Sequence, residues 1–345
     1  MPRPLPYNEG MPDDEPKQKK KYRPFWRKKH RRSTRTGEHR PVLLAEVLAA
    51  LAPKPGQTVV DCTLGFGGHS VELLKAVAPD GVLIACDLDP ANLEPAREKL
   101  DALGGLFTLH HGNFAGLSHI LAAEGATGVD GLLADLGMSS MQVDDRTRGF
   151  SFMRDGPLDM RMDSTRGRTA ADLVNALSLE ELTACFRELG DEPRAELIAA
   201  SIVERRLTKP FVKSGELREL IEVAAPVTID RMPDAPSERK QRLAPIARVF
   251  QSLRILVNRE LANLQQLLRV LPHLLNPGGT AVFISFHSGE DRLIKAAFRD
   301  GLRSGLFEAV SDDPIRPGLD ERRENPRSRS AKLRWARRSS NLPPE

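Results

Sequence analysis

The chain has 345 residues, 40% of them hydrophobic and 28% charged, which is the balance of a globular protein large enough for two modest domains. No run approaches the ~20 apolar residues of a membrane-spanning helix, and the basic N-terminus lacks the apolar core of a secretory signal. Cys62, Cys86 and Cys185 lack the spacing of metal ligands, so we expect small buried residues in a reduced, cytoplasmic protein without a metal site.

Positive charge is concentrated at the two ends of the chain. Residues 1–40 hold 13 Lys and Arg against 5 Asp and Glu, and residues 321–345 hold 8 against 3. Because the net charge is +4, the 280 residues between these ends carry −9. Basic ends suit a polyanion such as RNA, which binds through counterion release. A solvated tail that only aids solubility is the alternative, and charge alone leaves both open.

Residues 1–38 are rich in Pro, Lys and Arg and offer few positions that could build a core. We therefore expect a disordered, basic N-terminal extension. Tyr22, Phe25 and Trp26 lie among the basic residues and could stack on unpaired nucleotides.

A helical pattern over 41–51 is followed by apolar runs that have the length of buried strands. The runs are TVVDC (58–62), GVLIACD (81–87), LFTLHHG (106–112) and GVDGLLAD (128–135), and helical patterns separate the first three. Strands that are apolar on both faces and alternate with helices predict a parallel, doubly wound α/β sheet covered by helices.

The alternation stops over residues 139–248, which show helical patterns but no clear strand. It resumes with one predicted helix over 249–275, a turn at Asn276-Pro277-Gly278-Gly279 and a strand over 280–286. LFEAV and AKLRWARR near the C-terminus predict a pair of strands. We therefore predict one α/β domain, residues 39–138 and 249–345, split by an inserted helical domain, residues 139–248.

The stretch VVDCTLGFGGHS (59–70) joins a strand to a helix through a glycine turn, which lets a ligand approach the backbone. A phosphate-binding P-loop needs Lys and Ser or Thr after its last glycine, but His69-Ser70 follows Gly68. A dinucleotide fingerprint lacks its third glycine, since Ser70 stands there, so an NAD enzyme stays open but poorly supported. S-adenosylmethionine, which has no pyrophosphate, and an ordinary strand–turn–helix corner are the other interpretations.

Acidic and aromatic residues follow the predicted strands. Asp87 ends the second strand, where an acid binds ribose hydroxyls in both NAD and S-adenosylmethionine enzymes. Phe114 follows the third strand and could cover an adenine ring, and Asp135 ends the fourth. Ligands of open α/β sheets bind at this carboxyl edge.

Six segments of the chain carry a specific resemblance. They are, in order, HRPVLLAEVL, DCTLGFGGHS, DLGMSSMQVDDRTRGFSFMRDGPLDMRMD, FQSLRILVNREL, PGG…ISFHSGEDR and ENPRSRSAKLR. Together they resemble the bacterial 16S ribosomal RNA cytosine-N4 methyltransferase family, known as RsmH and formerly MraW, over residues 39–338. The resemblance implies a class I S-adenosylmethionine-dependent methyltransferase with a Rossmann-like sheet. It also implies methylation of the N4 amine of a cytidine in the decoding centre, the P-site region, of 16S ribosomal RNA.

The resemblance implies a set of cofactor-binding residues: Gly67, Gly68, His69, Asp87, Phe114, Asp135 and Gln142. His69 and Gln142 come from the resemblance alone. The implied cofactor is S-adenosylmethionine, and the implied partners are 16S ribosomal RNA and the small ribosomal subunit, with no membrane and with a homodimer left open.

Asp135 is also our candidate catalytic residue, as an acceptor for the hydrogens of the N4 amine. It precedes Leu136-Gly137-Met138, whereas amino methyltransferases often carry Asp or Asn followed by Pro-Pro and an aromatic residue. The predicted RNA contacts are Arg148, Arg154, Arg161, His287 and Arg292. The alternative for the first three is ion pairing with Asp155, Asp159 and Asp163.

The chain departs from the family pattern at two places, with Ala244-Pro245-Ile246-Ala247 where His-Pro-Ala-Thr is expected and Gly289 where Leu is expected. An NAD-dependent oxidoreductase and a non-catalytic RNA-binding ribosome assembly factor are the alternative functions.

Overall fold

The computed structural model describes residues 40–232 and 234–341, so the predicted basic extension, residues 1–38, lies outside the described residues. Seven strands form one sheet: β1 Thr58–Asp61, β2 Val82–Asp87, β3 Leu106–His111, β4 Val129–Asp135, β5 Leu275–Ser285, β6 Phe307–Val310 and β7 Lys332–Arg338. Their order is β3-β2-β1-β4-β5-β7-β6. The strands β1 to β5 run parallel, and β7 is antiparallel to both β5 and β6, which confirms the predicted C-terminal strand pair.

Thirteen α-helices lie in the described residues. They are α1 Leu44–Leu51, α2 Gly68–Val77, α3 Leu93–Asp101, α4 Leu117–Ala123, α5 Ser140–Asp144, α6 Ala170–Ala176, α7 Leu179–Ala184, α8 Ala195–Arg206, α9 Ser214–Ala224, α10 Glu238–Asn258, α11 Glu260–Leu274, α12 Ser288–Arg303 and α13 Leu319–Glu324. Across 40–232 and 234–341, every helix is too short or too polar to cross a membrane.

The central strands are buried on both faces, which explains their continuous apolar runs. In β4, Leu132 packs with residues of α4, α11 and α12, whereas the next residue, Leu133, packs with residues of α1, α2 and α3 on the opposite face. Val60 and Val59 of β1 divide in the same way. The predicted α/β architecture with helices on both faces is confirmed.

A third hydrophobic cluster is built by residues between Phe150 and Leu253, on α6 to α10 and the segments between them. These residues fall within or close to the predicted insertion, residues 139–248. The proposed domain boundaries stay a prediction.

Two local predictions need correction. The single helix predicted over 249–275 is wrong, because Arg259 has a left-handed backbone, φ 52°, and separates α10 from α11. The predicted turn at 276–279 lies inside β5, as a bulge: Val129 pairs with Leu275, but Gly131 already pairs with Thr280.

Candidate functional site

The buried side chain of Asp61 holds the turn after β1 at the carboxyl edge of the sheet through two hydrogen bonds. Its Oδ2 accepts a hydrogen bond from Ser70 Oγ at 2.6 Å, and its Oδ1 accepts one from the Thr63 backbone N–H at 3.0 Å. The bond to Thr63 fixes the beginning of the loop and the bond to Ser70 fixes its end, so together they hold the loop against the start of α2.

The two glycines that begin α2 are required for different reasons. Gly67 has a left-handed backbone, φ 73°, which other residues adopt only at a cost. At Gly68 a Cβ atom would lie 2.7 Å from Cγ of Pro41. The close approach of Pro41 therefore excludes a side chain at residue 68.

Asp87, at the end of β2, binds this turn directly. Its Oδ2 accepts a hydrogen bond from the Gly65 N–H at 2.7 Å, and its Oδ1 accepts one from the Asp89 N–H at 2.8 Å. Burial raises the pKa of the Asp87 carboxyl to about 6, although these two hydrogen bonds oppose the shift. The structure thus brings together the glycine turn and the acid, as the sequence predicts.

Asp89 is a central residue that the sequence analysis missed. Its side chain is only 2% exposed, and its Oδ2 accepts from Gln142 Nε2 at 2.8 Å and lies 2.9 Å from Arg148 Nη2. The Oε1 atom of Gln142 accepts from the Ser139 N–H at 3.0 Å, so both ends of this amide have protein partners. Gln142, predicted as a cofactor contact, thus also holds Asp89 in place.

Asp135 ends β4 beside His69. The distance from Asp135 Oδ2 to His69 Nδ1 is 3.8 Å, and His69 Nε2 lies 3.0 Å from the Val42 carbonyl oxygen. A carbonyl only accepts, so Nε2 carries the proton of the neutral ring, and the Nδ1 lone pair faces Asp135.

The electrostatics of this pair are unusual. Burial raises the pKa of the Asp135 carboxyl well above its usual range, and the negative charges of Asp61 and Glu290 add to the shift. Burial lowers the pKa of His69. The Oδ1 atom of Asp135 is buried and has no hydrogen-bond partner within residues 40–232 and 234–341, which is rare for a native carboxylate.

His69, Asp87, Asp135 and Gln142 line one cavity of about 240 Å³, whereas Asp61 and Asp89 lie outside its lining. Among the predicted cofactor residues, the lining includes Gly68, His69, Asp87, Phe114, Asp135 and Gln142. Gly67 is not in the lining of the described cavity, and it lies where α2 begins, near Ala96. A cavity with an aromatic ring, acceptor carboxylates and an unpartnered buried oxygen fits a nucleoside-containing cation such as S-adenosylmethionine.

Three of the arginines predicted to contact RNA, Arg148, Arg154 and Arg161, make internal contacts. Besides its ion pair with Asp89, Arg148 Nη2 donates to the carbonyls of Arg161 and Met162 at 3.0 and 2.8 Å. Arg154 Nη2 lies 3.1 Å from Asp144 Oδ1, and its Nη1 donates to the Asp144 carbonyl.

Arg161 binds both oxygens of Asp159 at 2.8 Å. Of the three acids offered as alternative partners, Asp159 is thus paired with an arginine of the set, whereas Asp155 accepts from the Gly215 N–H and Asp163 pairs with Arg166. Contact of Arg148, Arg154 and Arg161 with RNA stays a prediction.

The last two predicted RNA contacts differ in exposure. His287 Nε2 is buried 3.2 Å from Glu290 Oε1 at the start of α12, whereas Arg292 is exposed. Glu260 joins His287 and Glu290, with side-chain atoms that lie within 4.8 Å of one another. Because Arg254 Nε and Nη2 each lie 2.8 Å from an oxygen of Glu260, that carboxylate is already neutralised by an ion pair.

Comparisons with known proteins agree on one family. The family model described as the MraW methylase family matches residues 36–339. A protein of Geobacter sulfurreducens named ribosomal RNA small subunit methyltransferase H is 44% identical over 316 residues, which are 87% of this chain and 99% of that protein. Proteins with the same name from Syntrophotalea carbinolica and Thermomicrobium roseum are 45% and 42% identical, and the matches cover 87% of this chain and 98% and 93% of theirs.

Proposed function

The chain belongs to the MraW methylase family, and we propose that it methylates the N4 amine of a cytidine in the decoding centre, the P-site region, of 16S ribosomal RNA. Membership of a methylase family confirms methyl transfer with S-adenosylmethionine as the cofactor and sets aside the NAD-dependent alternative. The proposed partners are 16S ribosomal RNA and the small ribosomal subunit in the cytoplasm, and a homodimer is left open.

The near-complete alignment with relatives named for the small-subunit ribosomal RNA supports this substrate. The matches span 93–99% of the three relatives, and the family model covers residues 36–339, which include both the sheet and the helical segment between β4 and β5. An RNA substrate also agrees with the basic ends of the chain, because cations at a protein surface bind phosphate through counterion release.

Different residues at the carboxyl edge can bind different parts of the cofactor. Asp87 accepts one backbone N–H on each oxygen and a side-chain hydrogen bond from Asn92, which leaves the carboxylate with acceptor capacity for a ribose hydroxyl. Phe114 offers an apolar ring for the adenine, and the turn at Gly67-Gly68 lets the amino-acid end approach the backbone. When bound, S-adenosylmethionine supplies a methyl group activated by its sulfonium.

One observation supports transfer to an amine above all others: Asp135 lines the cavity, and its buried Oδ1 atom has no hydrogen-bond partner among the described residues. The N4 lone pair of cytosine is delocalised into the ring, so an acceptor for its hydrogens makes the nitrogen a better nucleophile. We assign this role to Asp135 Oδ1, which also takes the proton that the nitrogen loses. His69 Nδ1 lies 3.8 Å from the other oxygen of this carboxylate, Oδ2. The base must leave its stack to reach this depth.

The test is methylation by the purified full-length protein with radiolabelled S-adenosylmethionine. Naked 16S ribosomal RNA and assembled small subunits, both from cells that lack the modification, are the two substrates. Nuclease digestion and mass spectrometry then identify the methylated base and its position. We expect N4-methylcytidine at a single decoding-centre position. A methyl group on another base, or on the ring carbon or the ribose, would refute the proposal.

A further inference from the structure

Arg327 is a cavity residue that neither the sequence analysis nor the proposed reaction uses. It lies on the short helical turn Pro326–Ser330, which follows α13. Arg327 lines the same cavity as Asp87 and Asp135, and its side chain is 31% exposed. The Nη1 atom is fully buried, yet it has no hydrogen-bond partner in the described part of the chain. Buried donors of this kind are costly to leave unpaired.

The surroundings of Arg327 carry more positive than negative charge. Its Nη2 lies 3.7 Å from Asp144 Oδ1, which is too long for a hydrogen bond. The same carboxylate oxygen lies 3.1 Å from Arg154 Nη2. Two guanidinium groups therefore share one carboxylate, and one positive charge is left over. Burial and the charge of Arg154 both lower the pKa of Arg327.

An anion with several oxygen acceptors would complete this arrangement. A guanidinium offers donors in a planar fork that matches phosphate and carboxylate groups. Such a group could accept from the unpartnered Nη1 of Arg327 and neutralise the charge that Asp144 leaves uncompensated. The chain has two sources of such an anion within its proposed reaction, the phosphodiester of the RNA and the carboxylate of the cofactor.

The location favours the RNA. The glycine turn after β1, where the amino-acid end of the cofactor is expected, has its own cation in Lys99, whose Nζ donates to the Phe66 carbonyl at 2.7 Å. Arg154 and Asp144 instead belong to the segment after β4, which we expect to hold the RNA. Resting on the proposed function, we propose that Arg327 and Arg154 bind a backbone phosphate of the RNA next to the target nucleotide.

The test compares Arg327→Gln with Arg303→Gln. Arg303 ends α12, outside the two basic ends of the chain, and its side chain is 73% exposed, so its loss removes the same charge without opening a buried site. Binding of the full-length protein to purified 16S ribosomal RNA is measured across a salt series. For Arg327→Gln we expect weaker binding and a log–log salt slope that is flatter by about 0.7–0.9. We expect near-wild-type behaviour for Arg303→Gln, and equal slopes for the two variants would overturn the proposal.

A third variant should change RNA affinity and the salt slope in the opposite direction. Asp144→Asn removes the carboxylate that both arginines share, so it should tighten RNA binding and steepen the salt slope. If these arginines only hold the fold together, the same variant would lower the melting temperature and leave the slope unchanged. This variant keeps the proposal testable even if Arg327→Gln fails to fold.

Titration with S-adenosylmethionine shows which of the two candidate anions, the RNA phosphate or the cofactor carboxylate, binds at Arg327. We expect Arg327→Gln to bind the cofactor as the wild type does, and a selective loss of cofactor affinity would assign the site to the cofactor carboxylate instead. The wild-type protein tests the premise. If it neither binds nor methylates small-subunit RNA, the proposed function fails and the phosphate site fails with it. If it does both and Arg327→Gln keeps the wild-type slope, only the phosphate site is wrong.

Discussion

The Nη2 atom of Arg148 lies 2.9 Å from Oδ2 of Asp89, and this ion pair joins the segment after β4 to the carboxyl end of β2. Gln142 donates to the same oxygen from α5. Asp89 is separated by one residue from Asp87, the expected ribose-binding acid, and its N–H donates to Asp87 Oδ1. The segment expected to hold the RNA is therefore bonded to the edge of the sheet expected to hold the cofactor.

Replacing Arg148 with Ala should destabilise the fold. The Asp89 side chain is buried and the Arg148 side chain is 16% exposed, so the variant leaves a buried carboxylate with one fewer partner. Losing one member of such a pair costs about 3–5 kcal/mol, and the remaining bond from Gln142 favours the lower end. Chemical denaturation measures this. In the control Arg187→Ala, which breaks an exposed pair with Glu196, the change should stay below about 1 kcal/mol.

Replacing Asp87 with Ala should weaken cofactor binding and also loosen the glycine turn, because the Gly65 and Asp89 N–H groups lose their acceptor. Hydrogen bonds donated by hydroxyl groups to a charged carboxylate contribute about 1.5–3 kcal/mol, and their loss corresponds to one to two decades in affinity for S-adenosylmethionine. Isothermal titration calorimetry measures the affinity, and circular dichroism checks the fold. Wild-type affinity in a folded variant would contradict the ribose assignment.

Cofactor affinity should also decrease as the pH falls through about 6, the raised pKa of Asp87. Above this pH the carboxylate is ionised and both oxygens accept from hydroxyl groups, whereas protonation converts one of them into a donor. The reference is Asp87→Asn, which should bind weakly and show a flatter pH profile between pH 5 and 7, since it lacks the titrating group. Parallel profiles for the two proteins would assign the dependence to another group, such as His69 or Asp135.

Replacing Asp135 with Asn should reduce turnover by about 100-fold or more, because general base assistance contributes factors of this size. The same variant should be at least as stable as the wild type to heat, since it removes a buried carboxyl whose ionisation is opposed by Asp61 and Glu290. Turnover at saturating RNA and the melting temperature are the two measurements. A drop in both would indicate that Asp135 serves the fold.

Deleting residues 1–36 should weaken binding to ribosomal RNA without changing turnover at saturating RNA. This segment lies outside the described residues, and the expectation rests on its dense positive charge. Each phosphate contact that is lost flattens the log–log salt slope by about 0.7–0.9. Binding and turnover of both proteins across a salt series measure this. An unaltered slope would mean that the segment does not touch RNA, and a collapse of turnover at saturation would place it in the active site.

The sequence predicts the carboxyl edge of the sheet well because strand ends are local features. Asp61, Asp87 and Asp135 each end a buried apolar run, and the structure places their strands side by side, in the order β2-β1-β4. Contacts between distant segments leave no such signal in a single sequence. The sequence around Asp89 does not indicate that Arg148 lies close to it, and the sequence around Asp144 does not indicate the approach of Arg327.

The helix break at Arg259 escaped the sequence analysis for a related reason. The apolar periodicity runs through Arg259 without a Gly or Pro at the break, and the one residue there that can mark a helix end, Asn258, does not interrupt the pattern. The break reflects what each half packs against: α10 belongs to the cluster between Phe150 and Leu253, and α11 belongs to a cluster on the sheet. Tertiary packing, which periodicity does not encode, decides where the helix stops.

At this break, Arg259 joins two helices that pack in different hydrophobic clusters. Its neighbours Asn258 and Glu260 line the cavity, so a rotation of α10 against α11 would change the shape of the cavity wall. Arg254 limits that rotation, because it bridges the break by binding Glu260 from the last full turn of α10. A left-handed backbone at a non-glycine residue costs about 1–2 kcal/mol, so the backbone of Arg259 is strained in the folded chain. Replacing Arg259 with Gly would remove this cost, whereas the ion pair between Arg254 and Glu260 would still span the break.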